Sequence, residues 1–379
     1  MSKSTALRAQ GSSAFIHKPG KLRELALNWA LLRFRFGLDD MGHVHSPSDS
    51  GELQPPAFEN LRIHFWVPAK TPGARIAILN MLDALCVECE RRQLPWEISC
   101  GPDLPSQPVD IIICYKAVPP AGSVSGKPQR VLLFCDQLEC FWDELGAFNA
   151  VVIHSSRALA GLVARRHPQS WFIEECEESA EVDEGELNLI KSPPSTRSPL
   201  IVWHGHRHSL EGLQALRPVL EQFSRSREVN LRLISNHESG WEKWGMLSVE
   251  RVSYTDNSFA DQVAEARLGL VPTRNTRMKH CLFKPSSRMR RLFALGVPAL
   301  GEHRCIMVRE FADCLTSPQP VADTPDQWGE LLGHYWDNPV ALDALARVGH
   351  TQVRKHYAMP QYVRKWVQFL AQMASKQQD

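Results

Sequence analysis

The chain predicts an α/β fold of two doubly wound, Rossmann-like domains, and three observations carry that expectation. Short apolar strands alternate with helical segments from Leu61 onward, the pattern of a parallel sheet covered on both faces. The same alternation restarts at Leu200, after an acidic stretch and a Pro/Ser-rich one. At 379 residues the chain is long enough for two cores of ordinary size.

The first 60 residues read as an appendage. Leu22, Leu25, Trp29, Leu32 and Phe36 share one helical face, ringed by Lys18, Lys21, Arg23, Arg33 and Arg35. Such a helix either packs on the body of the protein or rests on an anionic membrane surface as a peripheral contact. The first domain is expected over 61–190. Its strands are Leu61 to Val67, Val109 to Cys114, Val131 to Cys135, Ala150 to His154 and Trp171 to Ile173, with helices ending near Arg92 and spanning Arg157 to Arg166. Glu174 to Glu186 carries eight acidic residues, and Ser192 to Pro199 is rich in Pro and Ser, which marks a linker.

The second domain is expected over 191–358. Strands fall at Leu200 to His204, Val229 to Ile234, Val249 to Val252, Leu268 to Val271 and Val297 to Leu300. Helices fall at Ser209 to Ser224, Ser258 to Ala266, Pro325 to Tyr335 and Val340 to His356. A last helix, Gln361 to Ala374 within 359–379, is placed to pack back on the first domain.

Charge is local rather than global. The formal net charge is +1, so the chain as a whole is no binder of polyanions. Yet no Asp or Glu occurs between Arg267 and Leu300, while Arg274, Arg277, Lys279, Lys284, Arg288, Arg290 and Arg291 all do. The basic loop runs onto a helix capped by Ser286 or Ser287 and stopped by Gly296. A basic loop at a helix N-terminus favours an anion, because free N–H groups and the positive dipole end face the same point. A diphosphate fits that description. A nucleic-acid surface would interleave aromatics or spread over a whole face, so no nucleic acid is expected.

Ligands of open α/β sheets bind at the carboxyl ends of the strands. There the second domain offers Gly205, His206 and Arg207. The first domain offers Gly73 and Arg75 after its first strand, Lys116 after its second, and Asp136 after its third. Asp136 is placed either for general-base work at the domain cleft or as a helix cap or turn residue. His204, His206 and His208 alternate as on a strand edge and have no carboxylate close by, so no metal is expected. The ten cysteines are scattered; Cys86 and Cys89 sit in a helical run with no second pair. Free thiols, with no signal peptide and no membrane-spanning run seen, make a reducing cytoplasm the expected location.

Several of these segments resemble the GT-B glycosyltransferases, in particular the retaining group called family 4. Arg267-Leu-Gly-Leu-Val-Pro272 is similar to that family's apolar strand ending in proline before the donor loop. Leu292-Phe-Ala-Leu-Gly-Val-Pro-Ala-Leu300 is similar to its Gly-x-Pro segment, and Pro325 to Phe369 to its closing helices. The resemblance implies two Rossmann-like domains facing each other across a cleft. It implies sugar transfer from a nucleotide-diphosphate sugar, without a further cofactor, to a glycan or lipid-linked acceptor. Gly205 and Lys284 would then face the donor diphosphate, and Glu310 would stand where the family has an acidic residue. Two positions depart from the family: Arg291 replaces its ribose-binding Glu, and Glu211 precedes Gly212 where the family has Lys. A polyol-phosphate transferase of the same fold, and a non-catalytic descendant that binds a nucleotide or a partner, are the alternatives.

Overall fold

A computed structural model describes residues 44–47, 60–69, 74–120, 122–126, 128–133, 150–165, 167–177, 192–273 and 286–375. The N-terminal basic helix, Gly73, Asp136, Arg274, Arg277, Lys279 and Lys284 lie outside them.

Among the described residues, two sheets organise the fold. The first has six parallel strands: β1 (Leu61–Trp66), β2 (Trp96–Gly101), β3 (Ile111–Tyr115), β4 (Gln129–Leu133), β5 (Ala150–His154) and β6 (Ser170–Phe172). They lie side by side in the order β2-β1-β3-β4-β5-β6. The second has seven: β7 (Leu200–His204), β8 (Asn230–Ser235), β9 (Gly240–Trp244), β10 (Leu247–Ser253), β11 (Leu268–Val271), β12 (Ala299–Glu302) and β13 (Val321–Ala322). Its order is β13-β12-β11-β7-β8-β10-β9, and only the β9–β10 pairing is antiparallel. Strands β3, β5, β7 and β11 are buried along their whole length. Continuous apolar runs such as Ile111-Ile-Ile-Cys-Tyr115 are what a doubly covered parallel sheet requires.

Helices cover both sheets. A π-helical turn, Arg75–Leu79, leads into α1 (Asn80–Arg91), and α2 (Arg157–Ala164) follows β5. In the second lobe come α3 (Leu210–Ser224), α4 (Phe259–Ala264), α5 (Ser287–Ala294), α6 (Ile306–Ala312), α7 (Pro325–Asp337) and α8 (Pro339–Tyr357); α9 (Met359–Ser375) follows. Local chemistry sets their ends. The Ser156 hydroxyl accepts from Leu159 N at 3.2 Å to start α2. Thr324 and Gln327 form a reciprocal capping box on α7, with Pro325 at its first position. Gly296 has φ +67°, a left-handed residue that ends α5 and turns the chain into β12.

The cores explain the domain layout. Helix α9 belongs to the first lobe: Tyr362, Trp366, Phe369, Leu370 and Met373 pack with Ile63, Phe65, Ile113 and Met81. Trp366 is fully buried and meets Phe65 at 5.8 Å and Phe369 at 5.7 Å between ring centroids. The Tyr362 hydroxyl donates to the Ala77 carbonyl at 2.9 Å. In the second lobe α8 lies so close to α5 that a Cβ built on Gly349 would come within 2.1 Å of the Phe293 ring. The two lobes also meet directly, since Ile306 of α6 joins Ala158, Leu159 and Leu162 of α2 in one apolar cluster.

Candidate active site

The carboxyl ends of β7, β10 and β11 and the start of α5 converge on one side of the second lobe. His204, the last residue of β7, is buried, and its Nε2 donates to the Arg288 carbonyl at 3.1 Å. In return Arg288 Nη1 donates to the His204 carbonyl at 3.4 Å. Strand β7 and helix α5 are thereby locked together. Burial, with the Arg288 charge beside it, lowers the His204 imidazole to about 3, so the ring is neutral and holds its proton on Nε2. Gly205 is required by space: a Cβ there would meet Arg288 Nη1 at 2.9 Å and the Trp203 ring at 3.1 Å.

Of the sequence-derived donor candidates, Gly205, His206, Arg207, Ser286, Ser287 and Arg288 lie around this lock. The Gly205 N–H donates to Ile234 O at 3.1 Å, so that amide serves the strand pairing rather than a ligand. The Arg207 N–H donates to Asn236 Oδ1 at 3.0 Å, and the same amide side chain lies 3.3 Å from His206 Nε2. Asn236, just past β8, therefore shapes this loop, while the His206 and Arg207 side chains are exposed. Ser286 is the buried N-cap residue of α5, yet its side chain caps no backbone N–H. Its carbonyl accepts from Arg290 N at 2.9 Å.

Arg291, the position at which the sequence departs from the resembled family, stacks on Phe259 at 4.4 Å and donates to the Tyr254 hydroxyl at 3.0 Å. That hydroxyl donates to Asp256, which accepts from Arg75 Nη2 of the first lobe at 3.5 Å. The Tyr254 bond, then Arg75 and Arg291, hold the Asp256 carboxyl below its usual value. A continuous polar chain thus runs from α5 across the gap to the first helical turn of the other lobe. Tyr254, Asp256, Phe259 and Asn236 escape the sequence reading, although Tyr254 and Asp256 directly follow a predicted strand and so occupy the loop position where ligands bind.

The remaining candidates lie elsewhere. Lys116 follows β3 with φ +50°, its ammonium 5.4 Å from the Tyr115 ring centre. Glu310 stands on α6, a helix rather than a loop. Its carboxylate accepts from the Ala158 N–H in the first turn of α2, across the lobe boundary. Burial pushes that carboxyl up to about 7, against the lowering effect of the Ala158 bond. A cavity of about 420 Å³ lined by Arg62, His64, Glu97, Ser99 and Asp103 lies at the β1–β2 edge and includes none of these groups.

No protein-family model matches the sequence, and no curated protein matches it. Solved structures do share its shape. The Anabaena protein HepE, in complex with UDP and glucose, matches with a TM-score of 0.56 at 10% identity over 82% of this chain and 100% of that one. A glycosyltransferase from Rickettsia africae gives 0.55 at 10% identity, over 84% and 99%. AviGT4, a glycosyltransferase involved in avilamycin A biosynthesis, gives 0.52 at 14% identity, over 83% and 98%. The fold is the two-lobed GT-B architecture, one Rossmann-like lobe facing another.

Proposed function

We propose that the chain is a glycosyltransferase that moves a sugar from a nucleotide-diphosphate sugar, with UDP as the first nucleotide to test, to a glycan or lipid-linked acceptor. The observation that carries this reading is the lock between α5 and β7. It brings the start of a helix, the Arg288 guanidinium and the Gly205 loop together at the carboxyl ends of the second sheet. From there the Arg291–Tyr254–Asp256–Arg75 chain leads to the opposite lobe. The neighbours in fold that hold UDP or UDP-glucose support the donor class.

On this reading the donor lies on the second lobe and the acceptor on the first, near Arg75, Lys116, Gly73 and Asp136. Lys284, Arg288 and the basic loop with Arg274, Arg277 and Lys279 offset the charge that develops on the leaving diphosphate. Preorganised cations act most strongly in a closed, dry cleft, so lobe closure completes the site. If the anomeric configuration is retained, Asp136 orients the acceptor; if it inverts, Asp136 is the base.

The test is hydrolysis of UDP-glucose and other nucleotide sugars by the full chain, with Lys284→Ala beside the wild type. Lysine acting on the diphosphate predicts a loss of about 100-fold in kcat; equal rates remove that contact. A second reading, binding without turnover, is favoured by Arg291, which sets a cation on Phe259 and Tyr254 where the resembled family has a carboxylate. UDP binding with no donor hydrolysis would decide for it.

A further inference from the structure

Arg290 is 1% exposed, a guanidinium enclosed by protein on the same helix as Ser287, Arg288 and Arg291. The chain passes between the lobes beyond Ile173 and returns at Tyr357 and Ala358, and Arg290 meets both crossings. Its Nη1 donates to the Glu175 carbonyl at 2.8 Å on the outward strand of chain. Its guanidinium carbon lies 4.4 Å from the centre of the Tyr357 ring on the returning one. The two crossings are also tied to each other. Glu177 N donates to Tyr357 O at 2.8 Å, and the Tyr357 hydroxyl donates to Glu174 Oε1 at 3.0 Å. Lys365 of α9 closes the cluster on Glu174 Oε2 at 3.7 Å.

A buried guanidinium costs several kcal/mol to desolvate, and here it meets a ring face and a carbonyl rather than a carboxylate among the described residues. Its Nε and Nη2 have no partner among those residues. Core packing alone would favour an apolar side chain at this place. What Arg supplies instead is reach: one planar group that touches both crossings while its stem stays on α5.

We propose that Arg290 is a positioning residue that pins helix α5 to both interlobe crossings, so that lobe rotation and placement of Arg288 are one motion. The lobes cannot turn about the crossings without carrying the Glu175 carbonyl past the guanidinium or moving α5 with it. Because Arg288 holds the His204 carbonyl, movement of α5 is passed to the end of β7. This inference rests on the donor site proposed above for its catalytic consequence, and on the crossings alone for its mechanical one.

The experiment compares the full-length wild type, Arg290→Lys and Arg290→Met by small-angle X-ray scattering, with and without UDP, and by UDP-glucose hydrolysis. Arg290→Met is expected to show a larger, broader distribution of lobe separations than the wild type. Its kcat is expected to fall about tenfold or more while KM stays within about threefold, the split of a group that acts on closure rather than on donor contact. Arg290→Lys keeps the charge but not the fork and should recover the scattering profile only in part. Wild-type scattering from Arg290→Met, or equal effects on kcat and KM, would overturn the proposal. Should Arg290→Met fail to fold, Arg290→Lys decides: an unchanged lobe distribution overturns the pin. If the wild type neither binds nor hydrolyses UDP-glucose or any of the other nucleotide sugars, the glycosyltransferase reading fails, while scattering still settles the mechanical role.

Discussion

Glu310→Gln tests the seam between the lobes most directly. The Glu310 carboxylate accepts from the Ala158 N–H of the other lobe, with Glu174, Arg157 and Arg309 near it, and burial pushes it up to about 7. A carboxyl raised above its ordinary 4.5 is at ease when protonated and costs stability when ionised. The sign follows: the cost is absent below pH 4.5, grows as pH rises, and is complete above pH 7. A rise from 4.5 to about 7 corresponds to roughly 3 kcal/mol in all, of which about 1 kcal/mol accrues between pH 6 and pH 8. Gln keeps an oxygen for the Ala158 amide and removes the ionisation. The assay is thermal unfolding of wild type and variant at pH 6 and pH 8. Subtracting the variant cancels every other titrating group common to both chains. The variant should gain on the wild type between the two pH values by about 1 kcal/mol, roughly 3 °C for a lobe of this size. A difference between the chains that does not change with pH would refute the reasoning.

Other perturbations separate packing from surface charge. Gly349→Ala sets a methyl against the Phe293 ring and should cost about 3 kcal/mol in urea unfolding by forcing α8 off α5. Trp366→Ala should cost about 3–5 kcal/mol and destabilise the first lobe, followed by tryptophan fluorescence during unfolding. Asp256→Asn breaks an ion pair whose partners are 37% and 55% exposed, so stability should change by less than about 1 kcal/mol. Gly205→Ala should leave secondary structure intact by circular dichroism and weaken UDP binding about tenfold or more, since the added methyl displaces Arg288.

Most of the fold is legible in the sequence because buried parallel strands are written as unbroken apolar runs. Leu200 to His204 and Ala150 to His154 are read to the residue. The edge strands β2 and β9 are not. β2 reads Trp96-Glu-Ile-Ser-Cys-Gly101 with only its first residue buried, and β9 reads Gly240-Trp-Glu-Lys-Trp244 with only its last. Strands open on a flank carry charge and lose the apolar signature. Helix α6 is also missed: Cys305 at its N-cap is no capping residue, so nothing marks its start as Ser258 marks that of α4. The expected strand Val297 to Leu300 begins instead at Ala299, since Val297 still closes the turn after α5 through its bond to Leu292 O.

The site is less legible than the fold. Gly205 marks the neighbourhood of the α5–β7 lock, and Arg288 proves to be the side chain that binds the two elements. Backbone groups expected to meet a ligand, such as the Gly205 amide, are consumed by the sheet, which no spacing of residues reveals. The residues that reach Arg291 and Arg75 are joined only in three dimensions, since Arg75 and Asp256 are 181 positions apart.

The packing of α9 against β1, β3 and α1 has a consequence for synthesis on the ribosome. The first sheet emerges early, yet its hydrophobic wall is supplied by Trp366 and Phe369, roughly 195 residues after the last strand ends. At ordinary translation rates that wait is on the order of ten to forty seconds. The later-made lobe has its own residues for closure and can mature while the earlier one is still incomplete. The nascent chain therefore holds an uncovered apolar surface for that interval, and folding of the first lobe is the last event rather than the first.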